Sequence, residues 1–235
     1  MKWLARLDVE AKTIQEAGVS SDIYSWHKGL WACFPNQPDA ERDFLTRIDV
    51  SEGAFRFWIL AEREPMRPDW CPPDGFALKE ISPSFLMHRY YAFDLRANPV
   101  KSVAPRGIDG EPLYRPDGKR MRSKRVPLVK PDDLHQWLIK KGKVRCRDQD
   151  TGLDVPGGFQ IMEKRPLEIS PMQESYFRKK DKKNGKKHTA YHGGVQFRGV
   201  LEVTDREAFK QTWQSGIGSA KGFGFGLLLL APTNL

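Results

Sequence analysis

Twice along its 235 residues the sequence runs through strand, helix, strand, strand, helix, strand. That order predicts an α+β protein of two tandem ferredoxin-like (RRM-like) domains. The length agrees, because two units of about 100 residues can each bury a core. So does the composition: 39% hydrophobic residues with seven Trp argue for packed order. The boundary is expected near residue 88, with an N-terminal domain at 1–87 and a C-terminal domain at 88–235. No repeat is visible residue by residue, so the doubling rests on element order.

The first strand is "KWLARLDVE", where apolar and polar residues alternate. A helix over "SSDIYSWHKGLWACF" follows, with Ser20 or Ser21 as N-cap, Asp22 in the first turn and Pro35 as its stop. "DAERDFLTRIDV" reads as a short helical piece entering a strand, and "AFRFWILAERE" as the next strand after a turn at Gly53. The second helix of this half is poorly marked, because "PMRPDWCPPDG" is rich in Pro. "FALKEISPSF" closes the first unit.

The second unit opens with a long strand, "HRYYAFDLRANPVKS", then a Gly/Pro/Arg-rich excursion, "PRGIDGEPLYRPDGKRMRSKR". "KPDDLHQWLIKKGKVRC" has a helix signature, with Pro131, Asp132 and Asp133 at its start and Lys near its end. "GGFQIMEKRPLEIS" and "ESYFRKK" are expected strands. The Asn-Gly of "KKNGKK" predicts a hairpin pairing "ESYFRKK" with "GGVQFRGVLEV". A helix "TDREAFKQTWQ", capped by Thr204, leads through glycines to a last strand, "GFGLLLLAP".

Net charge is +9, unevenly placed. Residues 1–100 carry 12 Lys/Arg against 15 Asp/Glu; residues 101–235 carry 27 against 15. A basic second half points to a polyanion gripped mainly there. The apolar run Leu227–Ala231 is far short of a membrane span, which takes roughly 20 residues. Asp8 and Glu10 interrupt any signal-type stretch. Three scattered cysteines, Cys33, Cys71 and Cys146, favour a reducing cytoplasm and offer no zinc spacing. No metal, cofactor or membrane contact is expected.

The glycine stretch "GIGSAKGFGFG" admits three readings. A nucleotide loop needs a strand before the glycines and a helix after them, and here the order is reversed. "KGFGF" matches the start of an RNP1 strand, but Gly226, Leu227 and Leu228 depart from it and no further helix and strand follow. What stands is a backbone that a phosphate chain can approach closely, with Lys221 as a point charge beside it. A tight helix-to-strand turn is compatible with that.

"HKGLWACFPNQPDAERDFLTRID", "FDLRANPVKS" and "GIGSAKGFGFGLLLLAP" together resemble the CasE family, the CRISPR repeat-RNA endoribonucleases of type I-E Cascade. The resemblance spans nearly the whole chain, in order. It implies metal-independent cutting of precursor CRISPR RNA at the base of each repeat hairpin, leaving a 2′,3′-cyclic phosphate and a 5′-hydroxyl. It also implies retention of that hairpin among the other Cascade subunits.

On a helical wheel Ile23, Trp26, Leu30, Cys33 and Phe34 form an apolar stripe. Tyr24, His27 and Trp31 run along its edge, with Lys28 just beyond. The family's catalytic histidine precedes its "GLW" stretch, matching His27. Histidine titrates near neutral pH, so it can take a proton from the 2′-hydroxyl or give one to the departing 5′-oxygen. Tyr24, three residues away, is the expected partner. Lys28 and Lys221 are candidate phosphate stabilisers. His88, His135, His188 and His192 fit surface or core positions better.

Two basic runs offer RNA contacts. The first holds Arg115, Lys119, Arg120, Arg122, Lys124 and Arg125, and is expected to follow the RNA stem through its phosphates. The second, residues 178–187, fits either a solvated hairpin tip or a further contact. Arg96 and Lys101 flank "RANP" and either orient a phosphate or pin the domain interface. Gly218 and Gly222 complete the expected RNA-binding set. Two rivals stand beside the nuclease: a non-cutting RNA-hairpin-binding module of the same fold, and a basic scaffold or DNA-binding protein.

Overall fold

The structure, a computed structural model, describes residues 2–17, 23–35, 42–147, 153–171, 175–180 and 187–234. At Ile23, Tyr24, His27, Arg147 and the two strands between 175 and 192 it describes the backbone alone. The first half comprises β1 (Lys2–Glu10), α1 (Ala11–Glu16), α2 (Ile23–Leu30), β2 (Phe44–Ser51), β3 (Ala54–Ala61) and β4 (Phe76–Ile81). Its four strands pair antiparallel in the order β2-β3-β1-β4. β3 thus splits β1 from β2, and β1 splits β3 from β4, which is the ferredoxin-like arrangement. Between β3 and β4 only a 3-10 turn forms, at Pro73–Gly75. Prolines 65, 68, 72 and 73 remove the amide donors a helix would need there.

The second half runs β5 (Tyr90–Ala97), β6 (Val100–Val103), β7 (Lys124–Pro127), α3 (Pro131–Lys143), β8 (Val144–Arg147), β9 (Asp154–Pro156) and β10 (Phe159–Ile161). It continues through β11 (Glu168–Pro171), β12 (Ser175–Lys180), β13 (Lys187–His192), β14 (Val195–Val203), α4 (Arg206–Ser215) and β15 (Leu228–Pro232). The main sheet has the order β10-β14-β5-β15, with β11 also on β14. Substituting β5, β10/β11, β14 and β15 for β1 to β4 reproduces the first sheet's order. The predicted doubling is visible in topology although invisible in residues.

Each sheet covers one apolar face with its own helices. In the first, Ala5, Leu7, Val9, Phe57 and Ile59 meet Trp26 and Leu30 of α2. In the second, Tyr91, Phe93, Leu95 and Phe197 meet Leu134 and Leu138 of α3 and Phe209 and Trp213 of α4. The first sheet's other face contributes Leu45, Leu60 and Ile81 to that second core, so the two sheets share buried surface. Among the described residues no helix is long and apolar enough to cross a membrane.

Several elements differ from the sequence expectation. The long strand "HRYYAFDLRANPVKS" breaks between β5 and β6, because Pro99 lacks the amide needed to continue the ladder. β6 instead pairs with β7, and bridges Arg106↔Pro112 and Tyr114↔Arg120 extend this ribbon. The helix α3 stops at Lys143, and "VRCR" turns into a strand paired with β9. β12 pairs with β13, not with β14, and the Asn-Gly turn lies outside the described residues, as do Ser20 and Ser21.

The cap of α4 is Asp205, not Thr204: the Asp205 carboxylate accepts from the Ala208 amide at 3.0 Å. Its charge also suits the positive end of the helix dipole. Asp205→Ala should cost about 1 kcal/mol in urea unfolding. Thr204→Ala should stay within about 0.5 kcal/mol. Equal losses from the two would reject the assignment.

Candidate active site at the junction of the sheets

α2 is anchored by the stripe the sequence marks. Trp26 and Leu30 are buried, as are Cys33 and Phe34 just beyond the helix. Trp26 meets Phe55 and Phe57 edge-on, with ring centroids 4.9 and 6.0 Å away. These contacts fix the helix on the first sheet. Lys28 is exposed. Tyr24 and His27 lie on the helix backbone one turn apart, and their side chains are outside the described residues.

At the other end of the chain, α4 gives way to the glycine loop at Gly216, with φ 75°. The loop doubles back on itself: the Ile217 amide donates to the Gly226 carbonyl at 2.9 Å, and the Gly226 amide to the Arg96 carbonyl at 2.7 Å. A side chain at Gly218 would press on Trp137, and one at Gly222 on the Arg42 guanidinium. Ala220 has φ 60°, the one positive value at a non-glycine among the described residues. Left-handed backbone at an alanine costs about 1 kcal/mol, so the surrounding contacts hold this turn in place. The 3-10 turn Lys221–Phe223 that follows packs against both α2 and β2.

Residues from opposite ends of the sequence therefore meet. Beside the glycine loop lies a cleft of about 680 Å³, bordered by Arg42, Asn98, Arg125 and residues 218–223. It continues into hollows of about 460 and 450 Å³ that add Trp137, Lys141, Arg145 and Ser215. Burial holds Lys221 below the ordinary lysine value, and the nearby charges of Arg145 and Arg42 push the same way. Burial also lowers Arg42.

Beyond Lys28 and Arg96, the structure sorts the expected RNA-binding residues into three groups. Gly218, Lys221, Gly222 and Arg125 border the cleft. Lys101 and Lys124 belong to the other face of the β6–β7 ribbon, since Ser102↔Arg125 and Val103↔Lys124 are opposed pairs and side chains alternate. Arg115, Lys119, Arg120 and Arg122 are exposed further along the ribbon, away from the cleft lining.

Arg96 is largely buried between the sheets, its guanidinium 3.5 Å from the Asp49 carboxylate. Burial first, and Arg47 next to it, lower it to about 10 against the pull of Asp49 and Asp94. Of the two roles the sequence left open, this position matches an interface pin. β12, from the second basic run, lies against α2. Arg42, Lys141 and Arg145 escaped the sequence reading. Arg42 stands in the acidic stretch "DAERDF", and the other two are explained by the end of a helix.

Two ferredoxin-like sheets, joined by a basic cleft under a glycine-rich loop, define a tandem ferredoxin-like protein of distinctive layout. The family model described as CRISPR associated protein matches residues 2–232. The CRISPR system Cascade subunit CasE of Escherichia coli (strain K12) is 32% identical over 222 residues, covering 94% of this chain and 98% of that protein. The CRISPR-associated endoribonuclease Cse3 of Thermus thermophilus is 26% identical, covering 98% of this chain and 100% of that protein. The fold matches the solved structure of Thermus thermophilus Cse3 bound to an RNA representing a pre-cleavage complex. There the TM-score is 0.63 at 23% identity, over 98% of this chain and 99% of that one. The chain belongs to the CasE family of CRISPR-associated proteins.

Proposed function

We propose that this chain is an endoribonuclease that cuts precursor CRISPR RNA at the base of the repeat hairpin without a metal ion. It then stays bound to the hairpin as a subunit of Cascade. The relatives support this by name, one as a Cascade subunit and one as an endoribonuclease, and a solved relative holds RNA. The observation that carries the reading is the packing of α2, bearing Tyr24 and His27, against the Lys221–Phe223 turn beside a basic cleft.

The chemistry follows from those groups. The 2′-hydroxyl beside the scissile phosphate loses its proton and attacks phosphorus in line. The bond from phosphorus to the 5′-oxygen breaks, and that oxygen takes up a proton. His27 serves one of the two transfers, with Tyr24 holding the ribose or sharing the proton. Lys221, and Lys28 from the helix, offset the charge that grows on the phosphate. A phosphate beside Lys221 favours its charged form, opposing the burial that lowers it.

Incubating the protein with its repeat RNA in EDTA tests the proposal. Cutting at the hairpin base should persist, and the upstream fragment should end in a 2′,3′-cyclic phosphate. Binding without cutting would instead identify a hairpin-binding module. Preference for duplex DNA over the hairpin would identify a general basic scaffold.

A further inference from the structure

The described arginines differ in how their charge is met. Arg47, Arg56 and Arg63 each meet an aspartate at 2.8 Å or less. Arg42 and Arg145, bordering the cleft, have no carboxylate partner among the described residues. Arg42 is half-buried, and among the described residues nothing offsets its desolvation. Arg145 is held by neutral acceptors, Ser215 Oγ at 2.9 Å and the Gln211 carbonyl at 3.4 Å, and its Nε is buried with no partner. Neutral acceptors aim a guanidinium without discharging it.

The carboxylates that border the same cleft are already committed, Asp43 to Arg63 at 2.7 Å and Glu62 to Lys2 at 2.8 Å. Lys221 borders all three hollows, while Arg42 and Arg145 each border two. Arg42, Arg145 and Lys221 therefore line one path together with Lys2, Arg125 and Lys141, and the two carboxylates that border it are already paired. Its hollows, about 680, 460 and 450 Å³, are the size of ligand pockets, roughly 300–1,000 Å³. That suits one strand. A-form stems are instead gripped from outside through shape and phosphates.

We propose that Arg42 and Arg145, on either side of Lys221, bind backbone phosphates of the unpaired RNA strand that flanks the repeat hairpin. This rests on the nuclease reading above and adds what that reading lacks: a seat for the strand next to the stem. Guanidiniums suit it because each can meet two phosphate oxygens at once. Gly222 leaves room for the Arg42 guanidinium beside the loop, room that a side chain there would take.

The test uses repeat RNA with a 2′-deoxy nucleotide at the scissile position, so that binding is read without cutting. One RNA is the hairpin alone, a second carries an unpaired flank, and a third is an unstructured RNA of the same length as the hairpin. Wild type should bind the flanked RNA about tenfold more tightly, and Arg42→Gln with Arg145→Gln should erase that gain. The slope of log affinity against log salt should fall by about 0.7 for each charge removed, the single-strand value. Arg42→Lys with Arg145→Lys should restore most of the slope, which separates charge from folding.

Unchanged affinity and slope for the flanked RNA would overturn the proposal. So would an equal loss on both RNAs, which would place these residues on the stem. If wild type shows no preference for the hairpin over unstructured RNA, the nuclease reading fails first and this seat with it.

Discussion

His27→Ala is expected to slow hairpin cutting about a thousandfold under single-turnover conditions, inside the range of roughly 10²–10⁴ for general acid–base catalysis. Affinity for the uncut hairpin should hardly change. The proposed phosphate contacts lie mainly on the basic second half, whereas His27 is carried by α2 of the first sheet. The wild-type rate should also depend on pH, as a general acid–base step does, and the variant should lose that dependence. Tyr24→Phe, which keeps the ring and removes only the hydroxyl, should fall between the two. A variant that cuts at the wild-type rate would remove His27 from the mechanism and leave α2 with a purely structural role.

How far the sequence foretold this molecule varies with the kind of signal. Periodicity located α2 and its buried stripe, because Trp26, Leu30, Cys33 and Phe34 repeat at the spacing a helix imposes. Element order predicted both sheets. Local chemistry that competes over one or two residues was not resolved: Asp205 outcompetes Thr204 for the α4 cap, and Pro99 ends a strand whose apolar pattern continues past it. The cleft was half legible. Lys221 and the glycines stood out as a motif, but Arg42, Lys141 and Arg145 matter only through a contact that joins distant segments. Asp94 carried no signal in the sequence, because its contact with Arg47 of β2, like that of Arg96 with Asp49, joins segments far apart in the chain.

Asp94 is the carboxylate that meets the buried Arg47 from the second sheet. Arg47, from β2 of the first sheet, has a side chain only 3% exposed and donates to Asp94 at 2.7 Å and to Asp49 at 2.8 Å. Asp94 also accepts from Gln196 and Arg198, each at about 3.0 Å. Burial by itself would lower Arg47, but the two aspartates outweigh it and hold the guanidinium above its ordinary value. Burial likewise pushes Asp94 up, and the donors of Arg47, Arg198 and Gln196 win, leaving it below the ordinary aspartate value.

Asp94→Ala strands the buried guanidinium with one carboxylate in place of two. Breaking a buried pair costs about 3–5 kcal/mol, and the lower end applies because the Asp94 side chain is 28% exposed. The variant should therefore lose about 3 kcal/mol in urea unfolding at pH 7. The pH dependence follows from the depressed value: the unfolded chain takes up the proton first, so the contribution is complete above about pH 4 and lost as pH falls through the folded value. Wild type should thus weaken more steeply than the variant below about pH 4, and the difference between them should shrink. The same carboxylate ties β5 to β2, and β2 carries the Lys221–Phe223 turn on to α2. Cutting by the folded fraction of the variant should therefore also slow, by loss of alignment between helix and loop. A constant stability gap from pH 7 down to pH 3 would show that Asp94 does not act through its charge.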